Sequence, residues 1–201
     1  PIGQEIVKKA HIILAEAASI EDLVKTFSDP MSGRVNIGLI PTIAPYLLPH
    51  IVQPVKKTYP KLEIILHEIQ TEVMLKQLGE GTLDAGILAV PLETRGIEQI
   101  ILYNEPFYVA VNNQHKFAKK SKIFKEDLRG ETLLLLGEGH CLRGQVLEVC
   151  SYAMTKERKD FQDTSLETIR HMVSTGIGIT LIPETAIFSK ILNQNSPIKY
   201  I

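Results

Sequence analysis

The feature that most constrains this chain is an alternation of short apolar runs with helical ones between residues 34 and 90. "RVNIGLI" (34–40) is rich in β-branched residues and reads as a strand. "TIAPYLLPHIVQPVKKTYP" (42–60) follows as a proline-punctuated helix, and "KLEIILHEIQ" (61–70) as a second strand. Thr71 is placed to cap a short helix, "EVMLKQLGEG", which Gly79 and Gly81 end. "LDAGILAV" (83–90) is nearly continuous in apolar residues, as strands covered on both faces of a parallel sheet are. This βαβαβ order predicts an α/β fold with a doubly wound sheet.

Two more strands, near 97–103 and 107–112, predict a crossing into a second doubly wound subdomain. That part reads as a short helix "FKEDLRG", an apolar strand "TLLLL" (132–136) and a segment holding both cysteines. A helix "TSLETIRHMVSTG" (164–176) and a strand "GITLIP" (178–183) complete it. Thr164 and Glu167 fit a capping box, and Gly176 fits a helix stop. Ahead of both parts, Ile6, Ala10, Ile13, Ala17, Ile20, Val24 and Phe27 recur at alternating spacings of four and three. That heptad seam predicts a long linker or dimerisation helix. Pro30 and Gly33 break it. The expected division is a helix over 1–29, a first subdomain over 30–103 and a second over 104–201.

The 201 residues are 44% hydrophobic, enough for a sizeable core, and carry a formal charge of −1. The segment as a whole is thus no generic binder of nucleic acid or membrane surfaces. Its densest basic stretch, Lys116, Lys119, Lys120, Lys122 and Lys125, reads as a solvated surface. No apolar run reaches the length of a membrane span, and no secretory leader pattern is present. Two cysteines are too few for a secreted disulfide scaffold, so a reducing, cytoplasmic setting is expected. Pro1 opens directly on helical pattern, which suggests a piece of something longer.

The chemistry narrows to "GEGHCLRGQVLEVC" (137–150). His140, Cys141 and Cys150 do not match zinc-ligand spacings, and nucleophile-elbow, Walker and dinucleotide motifs are absent from the sequence. Neither a metal nor a cofactor is expected. Cys141 follows a strand and a glycine turn at a predicted helix start, where backbone N–H groups and the helix dipole favour a thiolate, and Arg143 adds a fixed positive charge. Cys150 lies in the apolar "VLEVC", which keeps a thiol neutral. A lowered pKa alone does not make Cys141 a fast peroxide reagent. A drop of about two units raises the thiolate fraction about 25-fold but costs about 8-fold in nucleophilicity. Polar groups that orient the peroxide are also needed. His140 is adjacent, and Thr42 and Thr71 each follow the carboxyl end of a strand, where such folds bind ligands.

Over a helix from 141 to 150, nine steps place the two cysteines about 13 Å apart along the axis and on opposite faces. A disulfide needs Cα atoms within about 7 Å. The pair can bond only if the segment unwinds, which Gly144 eases by about 1 kcal/mol relative to alanine. That arrangement suits a conformational switch. Structural cysteines in a small-molecule-binding domain, and a thiol peroxidase enzyme, are the competing readings.

At "GHCLRGQ", "IGLIPTIAPYLLPHIV", "YPKLEIILHE" and "TSLETIRHMVSTGIGITLIP" the sequence resembles the LysR-type transcriptional regulators, specifically their peroxide-sensing members. The resemblance runs over nearly the whole chain. It implies a regulatory region of two α/β subdomains, similar to periplasmic solute-binding proteins, and a regulator rather than an enzyme. It implies Cys141 as the peroxidatic cysteine, Cys150 as the resolving one, Thr42, Thr71 and His140 as peroxide-site residues, and Arg143 as a supporting charge. Hydrogen peroxide is the implied reactant, and control of oxidative-stress genes the implied output. The implied assembly is a dimer, or a tetramer in the full-length protein. DNA would be bound only through an N-terminal helix-turn-helix domain ahead of residue 1, with RNA polymerase as a further partner. The family pattern also implies a segment beyond Ile201 that completes the second subdomain and returns to the first. Gly144 departs from the family pattern, which usually has Asp there.

Overall fold

The computed structural model describes residues 2–28, 31–92, 94, 96–150, 156–157, 165–188 and 197–201, with only the backbone at 8, 15, 18, 19, 21–28, 156, 157 and 188. The chain divides into two compact units, Pro1–Ile100 and Ile101–Ile201.

The first unit opens with helix α1 (Ile2–Ser28), as the heptad spacing predicts. Ile6, Ala10, Ile13, Ala17 and Ile20 are exposed along it, while the side chains of Val24 and Phe27 lie outside the described residues, as does Pro30. Strands β1 (Gly33–Leu39), β2 (Leu62–Glu68) and β3 (Ala85–Ile87) form a parallel sheet in the order β2-β1-β3. The register of β1 on β2 runs from Gly33 opposite Leu62 to Leu39 opposite Glu68. Helices α2 (Ala44–Thr58) and α3 (Thr71–Gly79) make the crossovers, so the predicted βαβαβ order holds. Met74 of α3 is fully buried against Gly38 and Gly86, whose missing side chains leave room for the thioether on the sheet.

Two details depart from expectation. β3 is shorter than 83–90, and Asp84 just ahead of it is bound to β1: its carboxylate accepts from the Asn36 N–H at 2.7 Å, and its own N–H donates to the Asn36 carbonyl. Thr71 does not cap α3. Gln70 takes the extended cap conformation, and Thr71 is the first helical residue.

In the second unit, β4 (Phe107–Asn112) pairs antiparallel with β7 (Thr180–Pro183) and β8 (Ile198–Tyr200). A parallel pair, β5 (Thr132–Leu133) with β6 (Lys156–Glu157), continues through a bridge from Leu133 to Ile179. Residues 97–103 form no strand, contrary to expectation: Ile100, Ile101 and Leu102 are exposed, and no described segment pairs with them. The strand expected over 132–136 shortens to two residues, although Leu134, Leu135 and Leu136 stay buried.

Helix α5 (Leu166–Ser174) starts later than expected. Ser165 caps it by accepting from the Thr168 N–H at 3.1 Å, while Thr164, half of the expected capping box, lies outside the described residues. Gly176 ends it with a φ of 80°, open to glycine at little cost. Leu166, Ile169 and Val173 turn one face of α5 to the core. Helix α6 (Glu184–Phe188) follows β7 directly.

Candidate functional site

Cys141 and Cys150 are the first and last residues of helix α4 (Cys141–Cys150). The turn before it depends on Gly139, whose φ of 86° places the chain in the left-handed region that a side chain disfavours. His140 closes the turn, and its carbonyl accepts from the Arg143 N–H at 3.0 Å. The Arg143 guanidinium reaches back, Nη1 donating to the Leu136 carbonyl at 3.1 Å. Arg143 thus ties the start of α4 to the end of the β5 segment. Sequence reasoning saw the charge and missed the tether, because the contact depends on how the turn folds.

Leu142, Val146 and Cys150 are buried on one stripe of α4, at spacings of four. Cys150 is 2% exposed and occupies a core position, whereas Cys141 is partly exposed, and neither is in a disulfide. Nine helical steps between them amount to about 13 Å along the axis. The pair is therefore separated here, as the helical reading of the segment required. Leu147 of the same helix is exposed.

Gly144 is also exposed, and a Cβ added there meets no atom within 4 Å. Burial pushes the Cys150 thiol up, and the Lys125 ammonium pulls it partly back. Lys125 belongs to a 3-10 turn, Lys125–Leu128, packed on α4. The five lysines of the basic stretch are exposed; Lys116 is paired with Glu131 and Lys120 with Asp127. No sequence signal joins Lys125 to Cys150, which lie 25 positions apart.

Thr42 and Thr71 stand in the first unit. They follow β1 and β2, adjacent strands whose ends pair Leu39 with Glu68, so both lie at the carboxyl edge of one sheet. Thr42 is 5% exposed. The Thr71 hydroxyl is buried and has no hydrogen-bond partner among the described residues. Its helix begins one residue earlier than expected, which turns the hydroxyl away from a capping role. The structure thus brings the two threonines to one edge of the first unit, and His140, Cys141 and Arg143 to one helix start in the second.

Among the described residues no cluster of three or more His, Cys, Asp or Glu can hold a metal ion, and no helix is long and apolar enough to cross a membrane.

Residues 28–195 match the LysR substrate binding domain. This chain belongs to that family. The hydrogen peroxide-inducible genes activator of Haemophilus influenzae is 40% identical over 199 residues, 99% of this chain and 65% of that protein. The chain therefore spans about two thirds of that relative's length. Crystal structures of the reduced and oxidised forms of OxyR are 43% and 44% identical, each at a TM-score of 0.73 over 85% of this chain. The overlap covers 79% and 80% of theirs. The likeness supports the α/β fold with two subdomains expected of a LysR-type regulatory region, and it aligns the chain with transcription regulators of the peroxide-inducible kind.

Proposed function

We propose that this chain is the peroxide-sensing regulatory region of a LysR-type transcription regulator, with Cys141 and Cys150 as its redox pair. The observation that carries the reading is their placement at opposite ends of one helix. Cys141 is partly exposed at the N-terminal start of α4, and Cys150 is in the core at its end. The first position favours a thiolate through the helix N-terminus and the nearby Arg143. The second keeps its partner thiol in reserve. Similarity to both a reduced and an oxidised OxyR supports the reading.

The Cys141 thiolate attacks one peroxide oxygen. The O–O bond breaks, the departing hydroxide takes a proton to become water, and the sulfur is left as a sulfenic acid. Thr42, Thr71 and His140 are the proposed groups that orient the peroxide, and the buried Thr71 hydroxyl, which finds no partner among the described residues, supports this. Cys150 then attacks the sulfenic sulfur, the S–S bond forms and a second water is released. Bonding requires α4 to unwind, because the helix holds the sulfurs too far apart. The loop closed is short and constrains the unfolded chain by about 2.5–3 kcal/mol. Loss of the packing of Leu142, Val146 and Cys150 opposes it by a comparable amount, so covalent chemistry decides between the two states.

In the whole protein, α1 is the proposed linker within residues 1–29, followed by subdomains over 30–103 and 104–201. A dimer or tetramer acts on DNA through a preceding helix-turn-helix domain, in the cytoplasm, with RNA polymerase as the downstream partner. The reading in which the cysteines are structural draws on the core position of Cys150. Counting free thiols after one equivalent of hydrogen peroxide separates the two. The sensor loses two thiols and stops, Cys150→Ser halts at the sulfenic acid, and Cys141→Ser does not react. Retention of both thiols in the unaltered chain would leave the structural reading standing.

A further inference from the structure

We propose that the exposed Phe124 ring and the lysines around it, Lys119, Lys122 and Lys125, form a docking surface for an acidic segment of another protein that carries an apolar side chain. The inference stands apart from the redox reading and holds equally if the two cysteines are structural.

The stretch from His115 to Glu131 holds six cationic side chains against three carboxylates, on a chain whose formal net charge is −1. Positive charge is therefore concentrated here. Two of the lysines are engaged within the stretch. Lys116 pairs with Glu131, and Lys120 pairs with Asp127 at 2.8 Å. Their ammonium groups also lie over the buried Phe117 ring, each 5.2 Å from its centre. Phe117 and Leu128, 3% and 2% exposed, anchor the two 3-10 turns Lys116–Lys119 and Lys125–Leu128 in the core. Lys119, Lys122 and Lys125 are exposed and form no ion pair among the described residues. Between the turns Phe124 is 58% exposed, with the Lys122 ammonium 5.1 Å from its ring centre. The Phe124 N–H donates to the Asp127 carboxylate at 2.9 Å, so the backbone that carries the ring is held.

The chemistry of the occupant follows from these groups. Three unpaired ammonium groups draw a partner rich in carboxylates and speed its encounter with the surface. The ring is an aromatic anchor of the kind enriched at protein interfaces, and it calls for an apolar contact. Nucleic acid fits less well. Phosphate-backbone binders make about six to ten contacts, and three lysines with the exposed Glu126 among them fall short of that. Base stacking needs an open ring face, and Lys122 lies over one face of Phe124. An acidic segment bearing a Leu or Phe satisfies both the charge and the ring.

The test is fluorescence anisotropy with a labelled synthetic peptide of Asp, Glu and Leu around one central Phe. Two further probes control for charge: the same peptide with its Leu and Phe replaced by Ser, and a duplex DNA oligonucleotide. The unaltered chain is expected to bind the first peptide with a Kd of roughly 10–100 μM at low ionic strength, and the other two more weakly. Binding should weaken about tenfold at about 0.5 M salt. Phe124→Ser should weaken it about tenfold, and so should Lys119→Gln, Lys122→Gln and Lys125→Gln combined, which should also remove most of the salt dependence. Lys56→Gln with Lys57→Gln, exposed lysines of α2, should leave it unchanged. Circular dichroism checks that each variant keeps its helix content. No binding by the unaltered chain, equal affinity for the Ser peptide, or full binding by Phe124→Ser would overturn the inference. Tighter binding of the DNA than of the acidic peptide would overturn it too, and would give the lysines to a phosphate backbone instead.

Discussion

Thr71 sets stability against the proposed function. Its hydroxyl is buried without a hydrogen-bond partner among the described residues, a situation that costs about 1–3 kcal/mol. Thr71→Val keeps the shape and removes the polar atom. The variant is expected to unfold at higher urea concentration, by about 1 kcal/mol, and to oxidise more slowly at Cys141. Faster or unchanged oxidation would remove Thr71 from the peroxide site. Cys150 makes a second residue-scale prediction. Burial raises its pKa above the ordinary thiol value of 9.0, so the neutral thiol is the form that the fold favours. The stability from this group is fully present below the unfolded-state pKa. It is lost as pH rises through the higher folded value. Urea titrations of the reduced chain should therefore show falling stability above about pH 9, less steeply in Cys150→Ala. Iodoacetamide should also reach Cys141 well before Cys150.

Among the elements, α4 carries the proposed switch, and Gly144 is its weak point. The position is exposed and a Cβ there meets nothing, so Gly144→Ala fits without strain. The alanine should stabilise the helix by about 1 kcal/mol. Since the helical form is the one with separated cysteines, the disulfide becomes easier to reduce. Its midpoint potential in a glutathione titration should rise by about 20 mV. An unchanged potential with a more stable helix would mean that α4 does not unwind on oxidation. Legibility was uneven at this scale. The helical periods of α1 and α5 and the strand β1 stood in the residue order, because local spacing alone makes an amphipathic face. Residues 97–103 misled, because β-branched residues mark a strand only where a neighbour takes up its backbone groups.

On the scale of the whole molecule, α1 presents exposed isoleucines at 6, 13 and 20, at 61%, 67% and 63% exposure. A stripe of that kind favours a partner helix. Sedimentation at micromolar concentration is expected to show a dimer, and Ile13→Asp to disperse it. A monomer that keeps its full helix content would count against the seam.

The sequence by itself determined the α/β class, the long first helix and the importance of 137–150, because periodicity, turn residues and a cysteine pair are local properties. It also placed the two cysteines on opposite faces of a helix, since that follows from spacing and helical geometry alone. Only the tertiary structure decided that Cys150 is a core residue while Cys141 is not, that Arg143 holds the Leu136 carbonyl, and that the Thr71 hydroxyl does not cap its helix and finds no partner among the described residues. Burial, orphaned polar atoms and long-range charge pairs depend on which elements pack together. That choice is made by the summed packing of both units, and no short stretch of sequence contains it.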